Sequence, residues 1–297
     1  MNYPYPSNPR DLISGYFPGI SPRRCTLISE GWDSYVFDVE GSYIFKFPRN
    51  ETAWNSLKKE KTLLGELRKF LSFSLPNHEF VQEGNASQPF VGYRRLPGSP
   101  ASGFNFDESG SIFLSRTMSR FYSEMRTFPI EVSSEMGVAT VNGQQWKKKV
   151  ENDYEMFRVR ALPLMGKREM QSINQLFDAY LEDSMNFEFD PILIHGDLNG
   201  DHILLDPEGS EEMGVLGWGD AAVSDPARDF AWLYDAMPEN LVLRTIIDAG
   251  HREPAGILKR SKFYNTVGPL YAIAYYYETG DKKRVKQGLK ILSERLQ

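Results

Sequence analysis

Apolar and polar positions alternate along the first third of the chain in the manner of paired strands. From Cys25 to Arg49 the runs Ser34-Tyr35-Val36-Phe37-Asp38-Val39 and Ser42-Tyr43-Ile44-Phe45-Lys46-Phe47 flank Glu40-Gly41, which predicts a hairpin. Between Glu51 and Ser72, Leu57, Leu63, Leu64, Leu67, Phe70 and Leu71 recur near helical spacing on a charged background, the mark of a helix with one buried face. Strand-like Phe80-Val81-Gln82 and Phe90-Val91-Gly92-Tyr93 follow, and Pro97-Gly98-Ser99-Pro100 breaks the pattern. A boundary is expected there, with a β-rich part over 1–96 and a mainly helical part over 97–297. Helices are predicted at Ser111 to Met125, Gln144 to Ala161, Lys167 to Met185, Pro226 to Ala236 and Lys262 to Gln297. Short apolar strands, Ile192-Leu193-Ile194, His202-Ile203-Leu204-Leu205 and Met213-Gly214-Val215-Leu216, interrupt them. The expected class is α+β: a β-rich N-terminal lobe and a helical C-terminal lobe holding a small β insert.

Composition narrows the functions. At 297 residues, 41% hydrophobic and 25% charged, the chain can bury a sizeable core and has no signature of disorder. A formal net charge of -6 argues against broad binding of nucleic acid or anionic membranes, and weakly favours a cationic ligand. The single cysteine, Cys25, rules out an intramolecular disulfide and reads as an inert thiol in a reducing compartment. The first residues lack the basic start and apolar run of a signal peptide, and the apolar stretch around Val267 to Tyr277 falls short of the ~20 residues a bilayer needs. A cytoplasmic protein is expected; its oligomeric state is not legible.

The richest stretch is Ile194-His195-Gly196-Asp197-Leu198-Asn199-Gly200-Asp201-His202-Ile203-Leu204-Leu205-Asp206, which sets histidines and aspartates between two apolar strands. A loop anchored at both ends by buried strands holds side chains to the tolerance that catalysis by positioning requires. Asp197 is then placed to accept a proton from a hydroxyl, and His202 to present a nitrogen to a metal. The plainer alternative is a hairpin turn decorated with polar residues.

This stretch resembles the catalytic loop of the aminoglycoside and macrolide phosphotransferases, antibiotic kinases of the protein-kinase-like fold, with the pattern His-Gly-Asp-x-x-x-x-Asn or His. Downstream, Gly214-Val215-Leu216-Gly217-Trp218-Gly219-Asp220 and Asp225-Pro226-Ala227-Arg228-Asp229-Phe230-Ala231 resemble that family's metal-binding turn and its Asp-Pro-x-x-Asp-Phe helix start. Upstream, Glu30-Gly31-Trp32-Asp33-Ser34, Phe45-Lys46-Phe47-Pro48-Arg49 and Glu60 with Leu63-Leu64 complete the order. The resemblance implies a bilobal small-molecule kinase that moves the γ-phosphate of ATP or GTP to an alcohol, with Mg²⁺ as cofactor. By it, Asp197 orients or deprotonates the acceptor hydroxyl, and Lys46, paired with Glu60, holds the α- and β-phosphates. The Gly31 to Ser34 loop covers the phosphates, and backbone groups of Arg95 and Leu96 meet the purine. His202 takes the place of the usual metal-binding asparagine, while His195, Asp225 and Asp229 support the loop. Each has a bland reading: strand lysine, linker, helix cap.

One position departs from the family pattern. Where the family has the aspartate that coordinates both magnesium ions, this chain has Gly217. Three explanations compete: Asp220 reaches in from the following turn, the protein binds nucleotide without turnover, or the glycine is an inactivating substitution. A remote alternative is an iron-dependent oxygenase built on His195, Asp197 and His251, with Arg260 and Ser261 as a clamp, which needs a jelly roll. The acceptor is open. Glu151, Asp153, Glu155, Asp178, Glu182 and Asp183 would form an acidic wall for an aminoglycoside, and Phe157, Tyr234, Tyr271 and Tyr275 an apolar one for a macrolide.

Overall fold

The structure is a computed structural model that describes residues 2–84, 88–206 and 213–296. The chain divides into two compact units: Met1–Phe104 with Glu131–Val138 and Gly200–Ala221, and Asn105–Ile130 with Ala139–Asn199 and Ala222–Gln297. The sequence suggests a single cut after residue 96; the chain instead crosses between the units several times, because the strand pair around 203–215 folds with the β-rich part.

The first unit is built on a five-stranded antiparallel sheet in the spatial order Cys25–Glu30, Ser34–Val39, Tyr43–Pro48, Phe90–Arg94, Phe80–Gln82. The predicted hairpin holds, with Val39 opposite Tyr43. Glu40 and Gly41 both have positive φ, 58° and 67°, the mirror-image turn whose twist suits a hairpin, and the Gly41 N–H donates to Asp38 Oδ1 at 2.8 Å. Alternation sends Phe37, Val39, Phe45, Phe47 and Phe90 to one face, where they pack with Ile13 and Ile20. Ile13 belongs to a helix, Pro9–Tyr16, that the pattern did not reveal because eight residues give little period to read.

The helix Glu51–Leu67 starts where the Asn50 side chain accepts the Ala53 N–H, and it buries Trp54, Leu57, Glu60, Leu63, Leu64 and Leu67. It stops short of the expected Ser72. Glu60 therefore lies on the apolar stripe, a position that an acid occupies only with a partner. A second small sheet pairs Ile203–Leu205 with Met213–Val215 and Ser99–Pro100.

In the second unit Ile192–Ile194 pairs with Ala222–Ser224, and seven longer helices surround this ribbon: Glu108–Met125, Gly143–Arg160, Lys167–Glu182, Glu239–Asp248, Pro254–Val267, Pro269–Thr279 and Lys282–Arg295. The core joins Trp146, Phe157, Ile173, Phe177, Phe263 and Leu270. The long terminal helix expected from Lys262 is in fact three. Pro269 has no N–H to continue the ladder, and Gly280 takes φ 76°, the left-handed C-terminal cap. The helix expected over Pro226 to Ala236 is a single turn, Ala227–Phe230, followed by the tighter Ala231–Asp235. Among the described residues no helix is long and apolar enough to cross a membrane.

Candidate active site

Within the first unit, Lys46 sits mid-strand on the sheet face opposite its phenylalanine neighbours, and its Nζ lies 3.3 Å from both oxygens of Glu60. Both are sequestered, with side chains 14% and 1% exposed. Burial works against each charge, yet the attraction between them prevails: Lys46 is held above the ordinary lysine pKa and Glu60 below the ordinary carboxylate value. Two further groups complete the environment. The Tyr93 ring lies 5.9 Å from Nζ, and His78, stacked on Tyr93, brings Nε2 to 3.9 Å from Glu60. Burial pushes the His78 pKa down to about 4, so it is neutral, and neither ring nitrogen has a hydrogen-bond partner. Sequence reasoning missed His78; nothing in its neighbours marks it.

The turn after Met213–Val215 holds Gly217, which the resemblance sets against the family's metal-binding aspartate. Gly217 has φ 81°, in the left-handed region, and the His202 imidazole covers it: a Cβ on residue 217 would stand 2.7 Å from His202 Nε2. The turn is fixed by Leu216 N–H to the His202 carbonyl, 2.9 Å, by Trp218 Nε1 to the Val215 carbonyl, 3.1 Å, and by the Trp218 N–H, which donates to Glu60. Lys59 reaches the same turn and donates to the Ala221 carbonyl at 3.1 Å. Burial raises the Asp33 pKa, and the negative charge of Asp220 adds to that rise. Ser34 is buried at the start of its strand, beside Gly31, whose Cβ position would meet the Ser34 carbonyl at 3.3 Å. The Arg95 N–H is already used on the Ser42 carbonyl, 2.9 Å, and its guanidinium on Asp38, 2.6 Å. Only the remaining backbone groups of Arg95 and Leu96 are left for a purine edge.

Within the second unit, the predicted catalytic loop hangs from Asp229. Its carboxylate, from within the turn Ala227–Phe230, accepts the backbone N–H of His195 at 2.6 Å and of Gly196 at 2.9 Å. The tie therefore runs through backbone amides, and the His195 ring serves a different contact. Its Nδ1 accepts the Asp197 N–H at 3.3 Å, which leaves the ring proton on Nε2. Gly196 has φ 85°, the conformation that turns the chain so that Asp197 emerges exposed while His195 and Gly196 stay buried. Arg228 donates to the Gly196 carbonyl at 2.6 Å and stacks 4.8 Å from the Trp146 ring. Burial lifts Asp229 to about 6, against the amides and Arg228 that favour its charge and together with the repulsion of Asp197. Asp225 caps the Ala227 N–H at 3.0 Å and is gripped by Arg260, Nε to Oδ2 2.9 Å and Nη2 to Oδ1 3.1 Å. Arg260 is thus a buried structural cation, and His251 packs edge-on against Phe230, so the clamp and ligand proposed for an oxygenase have other duties.

The donors present do not fit the magnesium turn that the resemblance implies. Glycine supplies no ligand at 217, the space there belongs to an imidazole, a softer donor than Mg²⁺ prefers, and among the described residues no group of three or more His, Cys, Asp or Glu side chains is placed to hold a metal ion. The suggested acidic wall is largely neutralised: Glu151 pairs with Lys148, Asp153 with Lys149, Glu155 with Arg158 and Asp183 with Lys259. Of the aromatic candidates, Phe157 is core, and Tyr271 donates to Asp153 at 2.6 Å.

A β-sheet unit bearing a buried lysine–glutamate pair and a helical unit bearing an aspartate loop define a kinase-like phosphotransferase fold. The chain belongs to the phosphotransferase enzyme family, whose sequence profile matches residues 24–258. It is 24% identical to viomycin phosphotransferase of Streptomyces vinaceus over 293 residues, covering 94% of this chain and 96% of that protein. The GDP complex of wild-type aminoglycoside 2'-phosphotransferase-IIIa is similar in structure, with TM-score 0.83, 26% identity and 96% of each chain covered. Macrolide 2'-phosphotransferase MphH from Brachybacterium faecium shares the fold, with TM-score 0.72 and 20% identity over 95% of this chain and 97% of that one. The jelly roll that the oxygenase alternative requires is therefore not the fold of this chain.

Proposed function

We propose that this chain moves the γ-phosphoryl group of ATP or GTP to a hydroxyl of a small alcohol, of the aminoglycoside or macrolide kind, in the cytoplasm. The buried Lys46–Glu60 pair carries the reading, because a strand lysine is desolvated and held extended by an acid only at some cost, and holding a cation for phosphates is a use that justifies it. The GDP bound to the aminoglycoside relative supports a guanine nucleotide as one donor.

In the proposed reaction Lys46 holds the α- and β-phosphates and Asp197 orients the acceptor hydroxyl. As the acceptor oxygen bonds to the γ-phosphorus, the bond from phosphorus to the β-bridging oxygen breaks, the nucleoside diphosphate leaves, and the hydroxyl proton passes to Asp197. Asp229 and Arg228 hold the loop on its backbone so that only the Asp197 side chain needs to act. Magnesium supplies charge neutralisation in such reactions, but with glycine at 217 no step is assigned to it here.

Gly217 favours a second reading, a nucleotide-binding protein without turnover. Both are tested by incubating the chain with γ-labelled ATP and GTP and a panel of aminoglycosides, macrolides and simple alcohols, with binding followed in parallel. Transfer that disappears in Asp197→Asn while nucleotide affinity is kept supports the first reading. Binding with no transfer to any acceptor supports the second, and absence of both overturns the two together.

A further inference from the structure

The turn that lacks a carboxylate at 217 does not lack a cation. Lys59 stands one residue before Glu60 on the helix Glu51–Leu67; its ammonium reaches the turn at the Ala221 carbonyl, while Glu60 pairs with Lys46 and accepts the Trp218 N–H of the same turn. Its Nζ donates to the Ala221 carbonyl at 3.1 Å in a partly buried setting. The helix packs against the turn itself, since a Cβ on Gly219 would lie 3.6 Å from Ser56 Cβ. Burial pulls the Lys59 pKa below the ordinary lysine value, and among the charges that act on it Asp220 leads, followed by Glu60. Asp220 also acts on Asp33 of the predicted phosphate loop. One ammonium therefore stands on the turn itself, at the Ala221 carbonyl next to Asp220 in the chain, and a divalent cation there would be repelled by it. His202 fills the remaining ligand position with an imidazole lying over Gly217.

We propose that the Lys59 ammonium stands in for the divalent cation at this turn, so that the chain binds a nucleoside triphosphate without requiring Mg²⁺. The inference rests on the reading of this unit as a nucleotide site. It accounts jointly for the missing carboxylate, the imidazole in its space and a lysine drawn into partial burial at the Ala221 carbonyl. A lysine suits this role as a compact point charge with three donors, able to keep the Ala221 carbonyl and still offer donors to a phosphate oxygen.

The test is calorimetric titration of the purified chain with ATP and with GTP, once in excess Mg²⁺ and once in EDTA. The affinities are expected to agree within about threefold, less than 1 kcal/mol. In EDTA, Lys59→Met is expected to weaken binding by about tenfold or more, and Lys59→Arg to retain most of it, with thermal melts reporting that both variants fold. Loss of about tenfold in the unsubstituted chain on adding EDTA overturns the inference, and so does a folded Lys59→Met variant that binds as well as the parent in EDTA. The comparison in the unsubstituted chain decides even if Lys59→Met does not fold. Binding that needs Mg²⁺ leaves the nucleotide-site reading standing and removes this inference alone, whereas no binding under either condition removes both.

Discussion

His202 lies over Gly217 so closely that a side chain at 217 would begin inside it, with the Cβ 2.7 Å from Nε2 and 2.8 Å from Cδ2. The two positions are therefore coupled, and restoring the family's aspartate requires the His202 ring to move as well as a strained backbone at 217. Gly217→Asp alone meets the imidazole and a φ of 81°, a conformation costing a non-glycine residue about 1 to 3 kcal/mol. The single variant is expected to melt several degrees lower and to show no gain in phosphoryl transfer. Gly217→Asp combined with His202→Asn, which removes the obstructing ring, is expected to exceed the single variant in transfer by about tenfold or more. Thermal melts and the labelled-nucleotide assay check both; a full gain from the single change would show that the imidazole yields freely.

Stability should fall on mild acidification, and the count of protons gives the slope. Burial holds His78 and His251 at about 4, down from 6.5. Glu60 opposes this at His78, while Lys46, Arg68 and Lys61 reinforce it, and Arg126 reinforces it at His251. For each, the unfolded chain takes up a proton near 6.5 that the folded chain refuses until about 4, so stability is lost as pH falls through that window. Asp229 acts in the opposite sense: raised from 3.8 to about 6, it binds its proton in the folded chain first and regains stability as pH falls below 6. Two histidines against Asp229 leave a net proton to the unfolded state between about pH 6 and 5, a loss of up to about 1.4 kcal/mol per pH unit, which the raised Asp33 reduces toward the acid end. Urea midpoints across that range measure it, and His251→Phe should remove most of the slope.

What the sequence made legible was local. The hairpin at Glu40-Gly41 and the helix that begins at Glu51 are each specified within a few residues, by turn chemistry and by period. The groups it hid are those whose partners are distant in the chain. Glu60 meets His78 across 18 residues, Lys59 meets Ala221 across 162, and Arg260 meets Asp225 across 35; the pairing of Glu60 with Lys46, 14 residues away, is legible only through the family resemblance. A lysine next to a glutamate on a helix reads as a solvated face, and only packing shows that Lys59 and Glu60 serve two different groups. The terminal helix was overextended for a related reason: its apolar period continues through Gly268-Pro269 and Gly280, and backbone constraint overrides pattern there.

The Lys46–Glu60 pair should be expensive to break and cheap to remove. Lys46→Met leaves the Glu60 carboxylate buried beside a neutral His78 and is expected to cost about 3 to 5 kcal/mol; Glu60→Met strands the ammonium at similar cost. The double variant should lose much less than the sum, because two buried charges have been replaced by apolar volume. Urea denaturation of the four proteins closes the cycle. Nucleotide affinity should drop in both single variants and not return in the double, which separates the stabilising role of the pair from its proposed use.

The second unit contains a comparable test in which no ligand is involved. Arg260 is 1% exposed and Asp225 not at all, and Glu253 takes a further donor of the same guanidinium at 2.6 Å. Tyr264 adds a hydrogen bond to Asp225 Oδ2 at 2.8 Å and receives one from Trp146 Nε1 at 2.7 Å. Asp225 begins the segment that ends in Asp229, so this network holds the base from which Asp229 suspends the loop proposed to be catalytic. Tyr264→Phe leaves the ion pair but removes one hydrogen bond to a charge, about 1.5 to 3 kcal/mol, and takes this partner from the Trp146 N–H and the Tyr180 hydroxyl, at a further cost of about 1 to 3 kcal/mol. Asp225→Asn leaves the guanidinium half-paired in the interior and is expected to cost about 3 to 5 kcal/mol. If the network only stabilises, both variants, assayed below their melting points, keep the parent's transfer rate. If it also positions Asp197, Asp225→Asn lowers kcat with little change in the KM for nucleotide, since the Lys46 site lies in the other unit. Steady-state kinetics on the folded variants distinguishes the two outcomes, and the second is expected because Asp225 and Asp229 flank a single helical turn with little backbone to absorb a shift.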